Sequence, residues 1–125
     1  MCGSPKKLVT SMIETGNEFC FVYSTFPDAE SALVVGRTLV ERKLAACVNI
    51  YPPMTSVYVW QGKQEESQEV AAFIKTRRSL ADAAVTAARP LHPYSTPCFL
   101  VLPISGGSDD YLAWARSQTE RSLTV

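Results

Sequence analysis

Residues 46–76 read ACVNIYPPMTSVYVWQGKQEESQEVAAFIKT, and the architecture turns on them. Ala46–Ile50 is a short strand candidate. Pro52-Pro53 cannot donate to a sheet ladder, so a bulge or sheet edge is expected there. The strand resumes over Met54–Trp60. Gln61-Gly62-Lys63 is a turn candidate, and Glu69–Thr76 reads as a further strand, the hairpin partner of the one before it. A hairpin therefore occupies the middle of the chain.

Outward from that hairpin, each side carries one strand and one helix. Upstream, Phe19–Tyr23 is rich in β-formers. Pro27 and Asp28 mark a helix start, with the proline expected at the first helical position. Ala29, Ala32, Leu33, Gly36, Leu39 and Val40 then recur at helical spacing. Downstream, Ser79-Leu80-Ala81-Asp82 resembles a capping box. It opens a stripe of Leu80, Ala83, Ala84, Ala87, Ala88 and Leu91 that Pro90 ends. Pro97–Ile104 is the fourth strand, Gly106-Gly107-Ser108 a loop and cap, and Tyr111, Leu112, Trp114 and Ala115 lie on a short third helix. The order is βαββαβ plus a terminal helix. This is an α+β, ferredoxin-like split βαβ sandwich with a mainly antiparallel sheet and right-handed crossovers.

The bulk numbers agree with one globular domain. The chain has 125 residues, 46% of them hydrophobic and 19% charged. Twelve basic and twelve acidic residues balance, which argues against a nucleic-acid partner. No apolar run is long enough for a membrane helix. Four scattered cysteines and one histidine lack the paired spacing of a zinc site, and they fit a reducing, cytoplasmic setting. Residues 1–17, without a secretory apolar core, are expected to be a loosely ordered extension. Residues 18–119 form the domain, and residues 120–125 are expected to fray.

Two helices cover one face of a four-stranded sheet. The other face is expected to carry Tyr58, Trp60, Phe73 and one set of side chains from the fourth strand. An apolar patch of that kind marks an interface. The reading favours a homo-oligomer packed through its sheets; the alternative is a monomer whose third helix folds under the sheet.

Several segments, in order, resemble the CutA (divalent-cation-tolerance) proteins. They are Leu44–Asn49, Ser56–Trp60 with Gly62, Glu69 with Ile74-Lys75-Thr76, His92-Pro93-Tyr94 followed by Pro97, and Tyr111–Trp114. The resemblance runs from about Phe19 to Ser117. It implies a compact homotrimer similar to the PII signalling proteins. It also implies a role in tolerance or response to divalent metal ions, copper above all, with no established catalysis. In some relatives the implied role is signalling or the anchoring of another protein. Two positions depart from the family pattern: Cys98 stands where Glu is usual, and Ser95 where an acid or amide is common.

Two constellations carry candidate chemistry. His92 and Cys98, six positions apart across Pro93 and Pro97, offer an imidazole and a thiol to copper or another divalent cation, with Glu69 as a candidate further donor. Alternatively His92 fixes a turn by a backbone hydrogen bond and Cys98 is a core residue. Tyr58, Trp60, Glu69, Lys75 and Tyr94 form the second set. They read either as a polar register lock between subunits or as an intersubunit cleft in which Lys75 meets a small anionic ligand. Cys47, among small apolar neighbours, reads as core. No G-x-S-x-G, P-loop or G-x-G-x-x-G is present, so no enzyme is expected and no cofactor is required.

Overall fold

The computed structural model describes residues 12–120. Residues 1–11 of the expected extension, with Cys2, and residues 121–125 of the expected tail lie outside them. The strands are β1 (Met12–Phe26), β2 (Cys47–Ile50), β3 (Met54–Trp60), β4 (Lys63–Arg77) and β5 (Leu100–Ser108). The helices are α1 (Ala29–Glu41), α2 (Ala81–Ala88) and α3 (Asp109–Gln118). The sheet order is β2-β4-β1-β5 and every neighbouring pair is antiparallel. β3 pairs with the first half of β4, so the hairpin projects from the sheet. This is the split βαβ arrangement, and the break at Pro52-Pro53 separates β2 from β3.

Strand alternation sets the layers. On one face Cys20, Val22, Ser24 and Phe26 of β1 and Val70, Ala72, Ile74 and Thr76 of β4 are buried. They pack against Ala32, Val35 and Leu39 of α1 and Ala81, Ala84 and Ala88 of α2. Gly36 lets α1 approach β2 closely, since a Cβ there would lie 3.3 Å from Val48 Cγ1. The opposite face carries an aromatic layer in which Phe73 meets Phe21, Tyr23 and Tyr51 at 5.2–5.5 Å.

α3 folds onto one end of that opposite face. Leu112 and Ala115 cluster there with Phe19 and Ala46. A Glu18–Arg116 ion pair at 2.6 Å and hydrogen bonds from Arg77 to Thr119 Oγ1 and the Arg116 carbonyl tie it down. The hairpin and β5 stay uncovered. Val57 is 61% exposed, Val59 67%, Trp60 51% and Leu100 56%. Both faces of β3 thus carry exposed apolar side chains, beside exposed polar residues of β4 such as Lys63, Gln64, Glu65 and Glu66.

Five local expectations change. The first strand starts at Met12, not Phe19, because residues 12–14 pair with Gly106–Ser108 of β5. The double glycine is therefore strand rather than loop. A Cβ on Gly106 would sit 2.2 Å from the Ile13 carbonyl oxygen, so only glycine admits this approach. Pro27 lies one residue ahead of the cap; Asp28 is the N-cap and accepts from Ser31 N at 2.9 Å. No capping box forms at α2, because a 3-10 turn over Arg78–Leu80 leads into the helix and no side chain caps it. The fourth strand starts at Leu100, leaving Pro97–Phe99 in an irregular loop. Among the described residues no helix is long and apolar enough to cross a membrane.

Gly106→Ala is expected to strip amide-exchange protection from residues 12–14 and to destabilise the fold by about 1–3 kcal/mol. Gly107→Ala, whose Cβ would meet only Leu112 at an ordinary 3.6 Å, is expected to leave both unchanged. Hydrogen exchange and urea unfolding read the difference.

Candidate functional site

The loop from His92 to Phe99 crosses the end of β1 and brings its side chains to the base of the hairpin. His92 is buried, stacked on Phe26 at 4.3 Å with Phe99 at its edge. Its two nitrogens have fixed roles. A backbone N–H only donates and a backbone carbonyl only accepts. Tyr94 N donates to Nδ1 at 3.2 Å, and Nε2 donates to the Thr25 carbonyl at 2.9 Å. Nδ1 is therefore the acceptor and Nε2 carries the proton. Ser24 Oγ stands a further 3.4 Å from Nε2. Burial holds His92 below its ordinary pKa, and the Arg89 charge adds to that. Both nitrogens serve the turn, which leaves no ring lone pair for a metal ion in this arrangement.

Beside this turn lies a cavity of about 440 Å³. Tyr58 and Trp60 of β3, Glu69 of β4, and Tyr94 and Cys98 of the loop line it. The Tyr94 hydroxyl donates to Glu69 Oε2 at 2.8 Å. Burial, then this hydrogen bond and the carboxylate charge, push the Tyr94 phenol well above its ordinary range. Burial and then Glu69 raise the Cys98 thiol. Tyr23, on the same side, is raised by burial, by Cys98 and by Glu69. The cavity thus holds one carboxylate beside groups that stay protonated at neutral pH.

The sequence-predicted residues divide unevenly. Tyr58, Trp60, Glu69, Tyr94 and Cys98 come together; His92 stands behind Tyr94 as its support. Lys75 is elsewhere. It shares a strand face with Glu69, but six residues of extended chain separate them by about 20 Å. Its ammonium sits 5.4 Å from the Tyr111 ring centroid under α3. Within one chain, then, Lys75 stands apart from Glu69 and Tyr94. Cys47 is half-buried at the β2 edge. Among the described residues no group of three or more His, Cys, Asp or Glu side chains is placed to hold a metal ion.

Thr25, Ser56 and Thr96 also line the cavity and were not singled out from sequence. Ser56 alternates in phase with Tyr58 and Trp60, so strand periodicity was a usable signal. Thr25 pairs with Ala71, two residues from Glu69, and only the β1–β4 register reveals that.

A split βαβ subunit with a projecting hairpin and a cavity at its base defines a class of small α+β proteins. The chain belongs to the CutA1 divalent ion tolerance protein family, whose sequence model matches residues 20–118. Human protein CutA is 43% identical over 106 residues, covering 82% of this chain and 59% of the human protein. The chain spans little more than half the length of several eukaryotic relatives it matches. The divalent-cation tolerance protein CutA of Thermus thermophilus is 42% identical, covering 78% of this chain and 95% of that protein. The solved structure of CutA from Synechococcus elongatus superposes with a TM-score of 0.84 at 33% identity, covering 89% of this chain and 97% of that one.

Acid is expected to weaken the fold through His92. Its folded-state pKa lies below the unfolded value of about 6.5, so the unfolded chain takes up the proton first. Stability is full above about pH 6.5 and is lost as the pH falls from there through the folded-state pKa. The loss cannot exceed about 1.4 kcal/mol per pH unit for one proton. Urea unfolding between neutral and mildly acidic pH reads this slope, and His92→Gln, which cannot take a proton there, is expected to flatten it.

Proposed function

We propose that the chain is a non-catalytic divalent-cation response protein that works as a homotrimer and takes up copper or another divalent cation at the Glu69–Cys98 cavity. The observation that carries this reading is the joint lining of one cavity by a carboxylate and a thiol. Thiolate is a soft donor suited to copper or zinc, and carboxylate a hard one. The metal must displace the Cys98 proton, so uptake is expected to strengthen as pH rises. A reducing, cytoplasmic setting suits a site that needs a free thiol. One chain supplies only these two donors, fewer than a closed protein site uses. Water or a neighbouring copy completes the set. The exposed apolar hairpin and β5 supply surface for assembly.

Within one chain Lys75 stands apart from the cavity, so an anion there would need a cation from a neighbouring copy. The adaptor reading gains no specific support, so the cation reading stands ahead of it.

Native mass spectrometry of the full chain under reducing conditions is expected to give the mass of three chains. Zinc, a redox-inert divalent probe, is expected to bind, with Cys98→Ser and Glu69→Gln each weakening it about tenfold or more. A monomer, or zinc affinity unchanged in both variants, overturns the respective half of the proposal.

A further inference from the structure

The walls of the cavity suit a ligand other than a bare metal ion. Three aromatic side chains, Tyr58, Trp60 and Tyr94, share them with a single carboxylate, Glu69. Among the described residues, no Lys, Arg or His lines the cavity. The remaining polar groups are hydroxyls and one thiol. Asp28 lies near enough for its charge to raise the Tyr94 phenol, which adds to the negative side. A cleft carrying one sign of charge concentrates ions of the other.

Size and wall chemistry narrow the class. A volume of about 440 Å³ falls in the range of small-molecule sites and far exceeds one metal ion. A metal ion uses short bonds to several donors and gains little from aromatic walls. An organic ammonium ion spreads its charge over alkyl groups. It is drawn to the negative faces of Trp and Tyr while a carboxylate balances it. Inorganic phosphate or a metabolite carboxylate would meet Glu69 with no lining cation to offset it.

We propose that the cavity at the base of the hairpin binds a small organic ammonium ion, with its charge against Glu69 and its alkyl surface against Tyr58 and Tyr94. Trp60, which pairs with Lys63 at the far end of the hairpin, closes the outer rim. This site does not rest on metal uptake. Both ligands use Glu69, so each excludes the other, but only the metal needs Cys98 and only the ammonium needs Tyr58. The chain would then read the balance between two kinds of cation.

Titration calorimetry of the full chain, with tetramethylammonium as probe and tert-butanol as its neutral counterpart of similar size, tests this. Saturable tetramethylammonium binding is expected, about tenfold tighter than tert-butanol. Tyr58→Ala and Glu69→Gln are each expected to weaken it about tenfold, and Cys98→Ser to leave it unchanged. Tyr58 is exposed, so its removal leaves the core intact; circular dichroism checks the fold, and native mass spectrometry checks that the variant keeps the assembly of the unmutated chain. Saturating tetramethylammonium is expected to weaken zinc binding to the unmutated chain. Equal affinity for the two probes, binding of neither, or ammonium binding indifferent to both Tyr58→Ala and Glu69→Gln overturns the proposal. Ammonium binding without zinc binding would leave this site standing and remove the metal reading alone.

Discussion

The pairing of β4 with β1 is the constraint on which the rest depends. β4 contributes to every part of the sheet except its β5 edge: β1 on one side, β2 on the other, and β3 beyond the proline break. Its period of two places Val70, Ala72, Ile74 and Thr76 under the helices and Glu69, Ala71, Phe73 and Lys75 on the opposite face. A slip of one residue would exchange the two sets. Thr76, fully enclosed, donates from Oγ1 to the Leu44 carbonyl at 2.7 Å and so joins the sheet to the segment between α1 and β2. A hydroxyl turned outward by a slip would leave that carbonyl unpaired, and an unpaired buried acceptor costs more than an average hydrogen bond contributes. The register is therefore held by apolar burial and by this polar contact together.

The same register makes the cavity. Glu69 stands where β4 leaves the helix-covered part of the sheet and enters the hairpin. Its carboxylate can therefore be reached by Tyr94 from the loop and still face Tyr58 and Trp60 from β3. The loop in turn depends on His92. The imidazole accepts from Tyr94 N and donates to the Thr25 carbonyl, which fixes the loop to the end of β1. Phe26 and Phe99 pack against the ring and keep it neutral by keeping water away. A histidine that looks from sequence like a metal ligand thus acts one step back, positioning the tyrosine that holds the carboxylate.

What was legible in the sequence follows from the range of each signal. Hairpin and element order are local patterns, and they read correctly from Phe19 onward. The helix stripes read in part: Val35 and Ala81 are buried outside the expected stripes, while Val40 and Leu91 within them are exposed. Placing Glu69 on one face with Phe73 needed only strand alternation. The family pattern around His92-Pro93-Tyr94 drew attention to the right loop. The misplaced caps of α1 and α2 are local, where several residues compete for one helix start. Other features depended on a partner distant in sequence. Gly106-Gly107 looks like a loop until Ile13 is placed beside it. Lys75 shares a face with Glu69, but face is periodic and distance along the strand is not. That His92 fixes a turn was one of two readings open in the sequence; the Thr25 carbonyl, 67 residues away, that accepts its hydrogen bond was not legible there.

The hairpin would link assembly to ligand. Tyr58 and Trp60 alternate with Val59 on one short strand, so side chains that wall the cavity and an exposed valine are carried by the same backbone, while Val57 reaches the cavity rim. A two-stranded ribbon standing alone in water is marginally stable. Whatever packs on Val59 would order the strand and hold Tyr58 beside Glu69. Whatever enters the cavity would order the same strand from its other face. Because coupling between two binding events is reciprocal, each would strengthen the other by the same factor. A cation at Glu69 would therefore favour association through the hairpin, and a copy seated on the hairpin would raise affinity for the cation. In this fold the sensing of a ligand needs no moving domain; it needs only a strand whose two faces answer to different partners.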